Sequence, residues 1–378
     1  MGTAVRLCPV SDIVIGLSKS ARAGFSFDDV AVAPHRRTRD PESVDLTWQI
    51  DAYSFDLPLV AAPMDSIMSP ESAITMGAAG GLGVLNLEGL WTRYEDPSDA
   101  FAQIRAAGRE EAVPLLQRLY AEPIKPELIG QRVAQMREAN ITVAGSLSPQ
   151  KTHDLFRYVI EAGVDVFVIR GTTVSAEHVS AGNEPLNLKQ FIYELDVPVL
   201  VGGVATYQSA LHLMRAGAAG VLVGFGGGAS HTTADVLGVR VPMASAIADV
   251  AAARRDYLDE SGGRYVHVVA DGAMGRSGDI VKAIACGADA AMVGSPLARA
   301  QEAPGAGKHW GMEATHKELP RGEVVEFPTV GTWQEVVHGP SHVSDGTMNL
   351  AGALRRSIAL CGYTDSKSFQ RVEMVRSH

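Results

Sequence analysis

The chain has 378 residues, with 33 Lys+Arg against 43 Asp+Glu and a formal net charge of −10, a length that accommodates two domains or one large α/β barrel with insertions. Hydrophobic residues at 46% and charged residues at 20% supply a sizeable core and exclude global disorder. The acidic balance argues against a nucleic-acid clamp or a polybasic membrane anchor, so neither nucleic acid nor membrane is expected as a partner.

From the N-terminus, the apolar stretch at 10–17 is short and broken by Ser11 and Asp12, which does not read as a secretory signal. No apolar run approaches the roughly 20 residues of a membrane helix, and a soluble, cytoplasmic protein is expected. Strand-length apolar runs then recur at 57–62, 82–86, 141–146, 165–169, 197–202, 220–224, 265–271 and 289–294. Several are apolar almost throughout, as strands buried on both faces should be. Helical patterns separate them at 70–79, 150–162, 186–195, 207–216, 244–259 and 278–286, with glycine stops at Gly163, Gly217 and Gly287. Eight strands alternating with helices predict an α/β fold, one (β/α)8 TIM barrel spanning 1–378. A doubly wound sheet competes, but no strand is followed by a GxGxxG turn opening a helix.

Two stretches exceed a minimal barrel. Residues 87–140, after the second strand, read as a helical insertion with a Pro-marked turn at 122–126. Residues 304–348, after the eighth strand and before a last helix at 350–361, are rich in Gly, Pro, His and Trp and read as a lid or flap.

Barrel active sites lie at the C-terminal strand ends, often with a phosphate bound after strands seven and eight. Strand seven ends in Ala270-Asp271-Gly272 and strand eight in Met292-Val293-Gly294-Ser295. The glycines let backbone N–H groups approach an anion, Ser295 adds a hydroxyl, and Asp271 is placed to accept from a ribose diol; ordinary turn chemistry is the alternative. The run 224–233 after strand six has four glycines in five positions, from Gly224 to Gly228, and suits close wrapping round a ligand or ion. Cys8, Cys286 and Cys361 are too scattered for disulfides or a thiolate zinc site and suit a reducing compartment. His309, Trp310, His316 and His338 show no metal-ligand spacing and read as loop packing or solvent-facing.

These residues resemble a family. Ser26-Phe27-Asp28-Asp29-Val30, Ala62-Pro63-Met64-Asp65-Ser66 and Gly80-Gly81-Leu82-Gly83 are similar to the opening of the IMP dehydrogenase/GMP reductase family. The likeness runs on through the 224–233 loop, the 270–272 turn, 277–283, 287–298 and 302–305. The family fold is a (β/α)8 barrel. The 87–140 stretch is too short for the regulatory CBS pair that many IMP dehydrogenases insert there, so the chain resembles the short, CBS-less branch.

The resemblance implies a purine mononucleotide (IMP, XMP or GMP) as partner, NAD or NADP as cofactor, and a homotetramer. It places Met64 against the base, Asp271 on the ribose hydroxyls, and Gly272, Gly294 and Ser295 on the phosphate. Gly226, Gly228, Ala229, Ser230, Ala273 and Met292 complete the implied substrate site. The family's attacking cysteine thiolate is replaced by His231, which can accept a proton or attack an electrophile but lacks a thiolate's nucleophilicity and leaving ability. With Thr233 and Arg321 it makes up the candidate catalytic set. Arg170, Gly171 and Thr172 stand at the cofactor position, where the family has an aspartate; Arg170 contacts a cofactor phosphate or forms a surface ion pair. Gly203 replaces an asparagine, Ala229 the loop's phosphate-binding serine and Ala273 a second turn glycine, and no Arg-Tyr pair that activates water is evident in 304–348. A monovalent cation such as K+ on the backbone of Gly226, Gly228 and His231 is a further family trait.

Two functions follow as expectations. One is an oxidoreductase converting IMP to XMP with NAD; the other is a catalytically silent nucleotide-binding paralogue with a regulatory or partner-binding role. A flavin enzyme or isomerase on the same barrel is the remote third.

Overall fold

A strand apolar on both faces needs a hydrogen-bonded neighbour on each edge, and a closed barrel supplies this to all eight at once. The computed structural model describes residues 12–175, 187–225 and 227–377. Its barrel strands are β1 Leu59–Ala61, β2 Leu82–Asn86, β3 Ala144–Leu147, β4 Val166–Arg170, β5 Val199–Val204, β6 Gly220–Val223, β7 His267–Asp271 and β8 Ala290–Val293. They pair in parallel in sequence order, and β8 closes on β1 through Ala291–Leu59, Met292–Val60 and Val293–Ala61. The expected (β/α)8 barrel is therefore the fold. All eight expected strands form, with ends moved by up to three residues because the flanking residues turn toward loops instead of pairing.

The helices are α1 Pro70–Ala78, α2 Ser98–Ala106, α3 Arg109–Leu119, α4 Pro126–Glu138, α5 Pro149–Ala162, α6 Leu188–Tyr193, α7 Tyr207–Arg215, α8 Thr233–Leu237, α9 Met243–Glu260, α10 Ser277–Ala285, α11 Trp333–His338, α12 Leu350–Leu360 and α13 Ser366–Phe369. Capping chemistry sets several starts. Ser69 Oγ accepts from the Ser72 amide with Pro70 at the first turn, and Thr332 and Glu335 close a reciprocal capping box. The three glycine stops hold left-handed φ values of 87°, 106° and 116°.

Both expected insertions are narrower than the sequence suggested. Within 87–140, α4 packs between α1 and α5 and serves as the regular barrel helix after β2, so only α2 and α3 are additional. They form a satellite core with the lid, where Phe101, Leu116, Trp310 and Ala314 are buried together. Within 304–348, α11 belongs to the main core, with Trp333 fully buried. The covering part is the hairpin Lys308–His309 with Val325–Glu326 and the single turn Met312–Thr315.

Candidate active site

The C-terminal strand ends and the β6–α8 loop enclose a chamber of 240 Å³. Met64 enters from β1, Arg170 from β4, Asp271 with Gly272 and Ala273 from β7, and Met292, Gly294 and Ser295 from β8. Gly228, Ala229 and His231 close one side, and the lid adds His309. The β7 turn passes through two left-handed residues, Gly272 at φ 106° and Ala273 at φ 59°. An alanine there carries a steric cost that glycine avoids. Ala273→Gly is expected to raise the free energy of unfolding by about 0.5–1 kcal/mol in urea titrations.

Four ionisable side chains cross the chamber mouth in a chain. Arg170 Nε donates to Asp271 Oδ2 at 2.7 Å and Nη2 to Oδ1 at 3.4 Å, so β4 and β7 are joined by a two-point ion pair. Arg170 Nη1 stands 4.0 Å from Glu313 Oε1, and Glu313 Oε2 lies 3.0 Å from His231 Nε2. All four side chains are at most 15% exposed, so their mutual attraction is little screened. Burial by itself would raise the Glu313 carboxyl, but the charge and hydrogen bond of His231 and the charge of Arg170 hold it well below the usual carboxylate range. A carboxylate only accepts, so the ring proton of His231 that meets it sits on Nε2. Nδ1 is then left buried without a hydrogen-bond partner.

The Gly-rich loop is stitched to the lid by backbone bonds. The Thr232 amide donates to Arg321 O at 3.0 Å, the Glu323 amide to Ser230 O at 2.9 Å and the Arg321 amide to Glu313 O at 2.9 Å. On the chamber's lid side, burial and the nearby His231 push the His309 imidazole down to about 3, so it is neutral. Ser66 Oγ donates its one proton to Trp310 O at 3.2 Å, so at 2.9 Å it accepts from His309 Nδ1.

A second chamber, of 420 Å³, adjoins the first and shares Arg170 as a wall. It is lined by Glu88 after β2, Ser148 after β3, Gly171, Thr172 and Thr173 after β4, and Glu313, His316 and Arg321 from the lid. Arg321 Nη2 reaches Thr172 Oγ1 at 3.3 Å, while its Nε is buried with no partner. Gly203 lies behind this region, where an added Cβ would come 2.1 Å from Gly224 O. The Gly224 carbonyl thus occupies the space a side chain at 203 needs, and only glycine is accommodated there.

Beneath the lid, Asp65 ties three segments together. Its Oδ2 accepts from Tyr120 Oη at 2.5 Å and from the Leu90 amide at 2.8 Å, and Trp310 Nε1 donates to Tyr120 Oη at 2.9 Å. Complete burial outweighs these bonds and raises the Asp65 carboxyl to about 6. A carboxyl raised from about 3.9 binds its proton more tightly when folded, so it favours the fold most at low pH. That contribution, about 2–3 kcal/mol, is lost as pH rises from about 4 to about 6. Asp65→Asn is expected to remove this slope, read as a flatter dependence of Tm on pH across that window.

The sequence profile of the IMP dehydrogenase/GMP reductase domain matches residues 24–319. An uncharacterised oxidoreductase of Mycolicibacterium smegmatis is 51% identical, over 96% of this chain and 99% of its own. An inosine-5'-monophosphate dehydrogenase of Methanocaldococcus jannaschii is 27% identical, over 75% of this chain and 74% of its own. The crystal structure of an IMP dehydrogenase/GMP reductase-like protein from Corynebacterium glutamicum superposes with a TM-score of 0.93 at 50% identity, covering 97% of this chain and 98% of that one. The chain belongs to the IMP dehydrogenase/GMP reductase family. This is an oxidoreductase family, and the end-to-end match to a relative of the same length is consistent with a short branch of it.

Within this family frame the expected residues separate into three places. Met64, Gly228, Ala229, His231, Asp271, Gly272, Ala273, Met292, Gly294 and Ser295 all line the first chamber. Gly171, Thr172 and Arg321 line the second, which adjoins the first. Ser230 and Thr233 line neither; both are fully buried, their hydroxyls without partners, because the loop turns them under itself and into the start of α8. Gly226 lies outside the described residues. The ion pair of Arg170 is buried, not on the surface, because the guanidinium points across the barrel mouth. His309, expected to pack within its loop or face solvent, is buried and also borders the first chamber, because the lid hairpin carries it inward. Glu313 was missed altogether: nothing in Gly311-Met312-Glu313-Ala314 distinguishes it from an exposed loop acid. Among the described residues no group of three or more His, Cys, Asp or Glu could hold a metal, and no helix is long and apolar enough to cross a membrane.

Proposed function

We propose that the chain oxidises a purine mononucleotide with a nicotinamide cofactor, converting IMP to XMP. The observation that carries this reading is the convergence of Met64, Asp271, Gly272, Gly294 and Ser295, from three strands, on one small chamber with a second beside it. The base lies toward Met64, the ribose toward Asp271 and the phosphate toward Gly272, Gly294 and Ser295. The second chamber suits a dinucleotide cofactor: Arg321 offers a buried Nε with no partner, and Thr172 a hydroxyl beside it. A nicotinamide held there supplies a two-electron acceptor for hydride.

At the position of the family's thiolate, His231 accepts the proton of a water molecule that adds to purine C2. The C2–O bond forms as N3 takes a proton back from the His231 ring, the C2–H pair leaves as hydride, and the remaining hydroxyl proton departs as C2=O forms, so IMP, NAD+ and water would yield XMP, NADH and one proton. Glu313 holds the imidazole by Nε2, so Nδ1, buried beside Gly228 with no partner, is the nitrogen left to accept once the loop admits the water. Purified protein given IMP and NAD+ should show NADH absorbance; no turnover with IMP, GMP or XMP and either nicotinamide would remove the reading.

One observation favours the silent alternative. Arg170, paired with Asp271, lines both chambers and so stands between a nucleotide and its oxidant. Calorimetric binding of IMP without turnover would select that reading.

A further inference from the structure

Arg170 stands where the family resemblance put a cofactor contact, yet its strongest bonds run to the substrate side. Its Nε and Nη2 engage one oxygen each of Asp271, at 2.7 and 3.4 Å, while Nη1 stands 4.0 Å from Glu313. The guanidinium is planar, so contacts to carboxylates at both ends fix its plane and, through it, the plane of the Asp271 carboxylate. A carboxylate has about four lone-pair sites; a two-point arginine takes one on each oxygen. One acceptor position per oxygen is left, and Asp271 lines the first chamber. Two acceptors at a fixed separation on a plane that cannot rotate match two neighbouring hydroxyls. Without Arg170 the same carboxylate, only 8% exposed, has no cation and is free to turn toward other donors.

We propose that Arg170 is a positioning residue for Asp271, and that the pair makes the chamber read a ribose cis-diol and reject 2'-deoxyribonucleotides. This rests on the purine mononucleotide reading given above but not on turnover, so it holds equally for a silent binder. It also reassigns Arg170 from the cofactor to the substrate, and leaves Glu88 and Glu313 as the carboxylates facing the second chamber.

The test is calorimetric titration of the whole protein with IMP and with 2'-deoxy-IMP. Wild-type protein should bind IMP about tenfold or more tighter, the factor expected for one hydrogen bond to a charged acceptor. In Arg170→Ala the ratio should fall to within about threefold, with the larger loss on IMP. Arg170→Lys keeps the charge but not the fork, so it should fold securely and show an intermediate ratio. A purely structural role for Arg170 would weaken both nucleotides alike and leave the ratio intact. An undiminished ratio in Arg170→Lys, and in Arg170→Ala if it folds, or equal affinities in wild-type protein, overturns the inference and spares the functional reading. Failure of wild-type protein to bind either nucleotide removes that reading, and this proposal with it.

Discussion

His231→Ala is expected to lower kcat/KM for NADH formation from IMP by about 10²–10⁴-fold, the range for losing a positioned general base. The Kd for IMP, measured by calorimetry, should change little, because the contacts proposed for its phosphate and ribose lie at the ends of β7 and β8. The bond between His231 Nε2 and Glu313 leaves Nδ1 as the ring nitrogen without a partner. Added imidazole should restore part of the activity of His231→Ala, which a structural defect would not allow. Glu313→Gln keeps an acceptor oxygen but removes the charge that stabilises a protonated ring. Its loss should be smaller than that of His231→Ala and should fall on kcat more than on KM. His231→Cys is the complementary trial: if the rest of the site supports hydride transfer, the thiolate form should turn over by the family's covalent route. Unchanged turnover in His231→Ala would place the proton acceptor elsewhere.

The parts of this molecule legible in its sequence are those specified by local rules. Buried parallel strands declare themselves as apolar runs, and the residues after them are carried to the barrel mouth whatever their identity. Asp271 and Ser295 could therefore be placed from position alone. Arg170 could be placed just as well, but its partner could not. The bond to Asp271 joins residues 101 positions apart, across the barrel from one strand end to another, and no sequence spacing encodes it. Glu313 was hidden for the same reason, since its contact with His231 spans 82 residues through a lid without helix or strand periodicity. The place of His309 at the chamber is not legible because its two-residue lid strand is too short to show a period, and the fold buries it together with Trp310. The overlong insertion at 87–140 has a different cause: α4 is amphipathic like its neighbours, and only its packing between α1 and α5 marks it as part of the barrel.

At the opposite end of the barrel, Asp289→Ala is expected to destabilise the fold by about 3–5 kcal/mol, the cost of stripping one partner from a buried ion pair. Asp289 immediately precedes β8, at the strand ends remote from the chambers. Its carboxylate accepts from Arg254 Nη1 at 2.7 Å, Tyr265 Oη at 2.6 Å, the Val268 amide at 2.9 Å, and Lys367 Nζ and Gln370 Nε2 at 3.0 Å. One acid thus gathers α9, the approach to β7, and α13 with the residue after it. Burial works to raise this carboxyl, but Arg254, Lys367 and the Tyr265 and Val268 bonds prevail and bring it to about 2. A depressed carboxyl contributes stability above its unfolded value, near 3.9, and loses it as pH falls toward 2. The loss is about 2–3 kcal/mol, opposite in sign to the Asp65 slope and at lower pH. Denaturant midpoints between these pH values should therefore fall with acid more steeply in wild-type protein than in Asp289→Ala, where the depressed Glu313 still contributes a slope. Replacing both partners, as Arg254→Met with Asp289→Leu, should recover much of the loss, because neither charge is then left buried alone. IMP affinity in the folded double variant should match wild type, since the network touches neither chamber. A double variant no more stable than Asp289→Ala would mean that the bonds to Tyr265, Val268 and Gln370, and not the charge pair, hold this end of the barrel together.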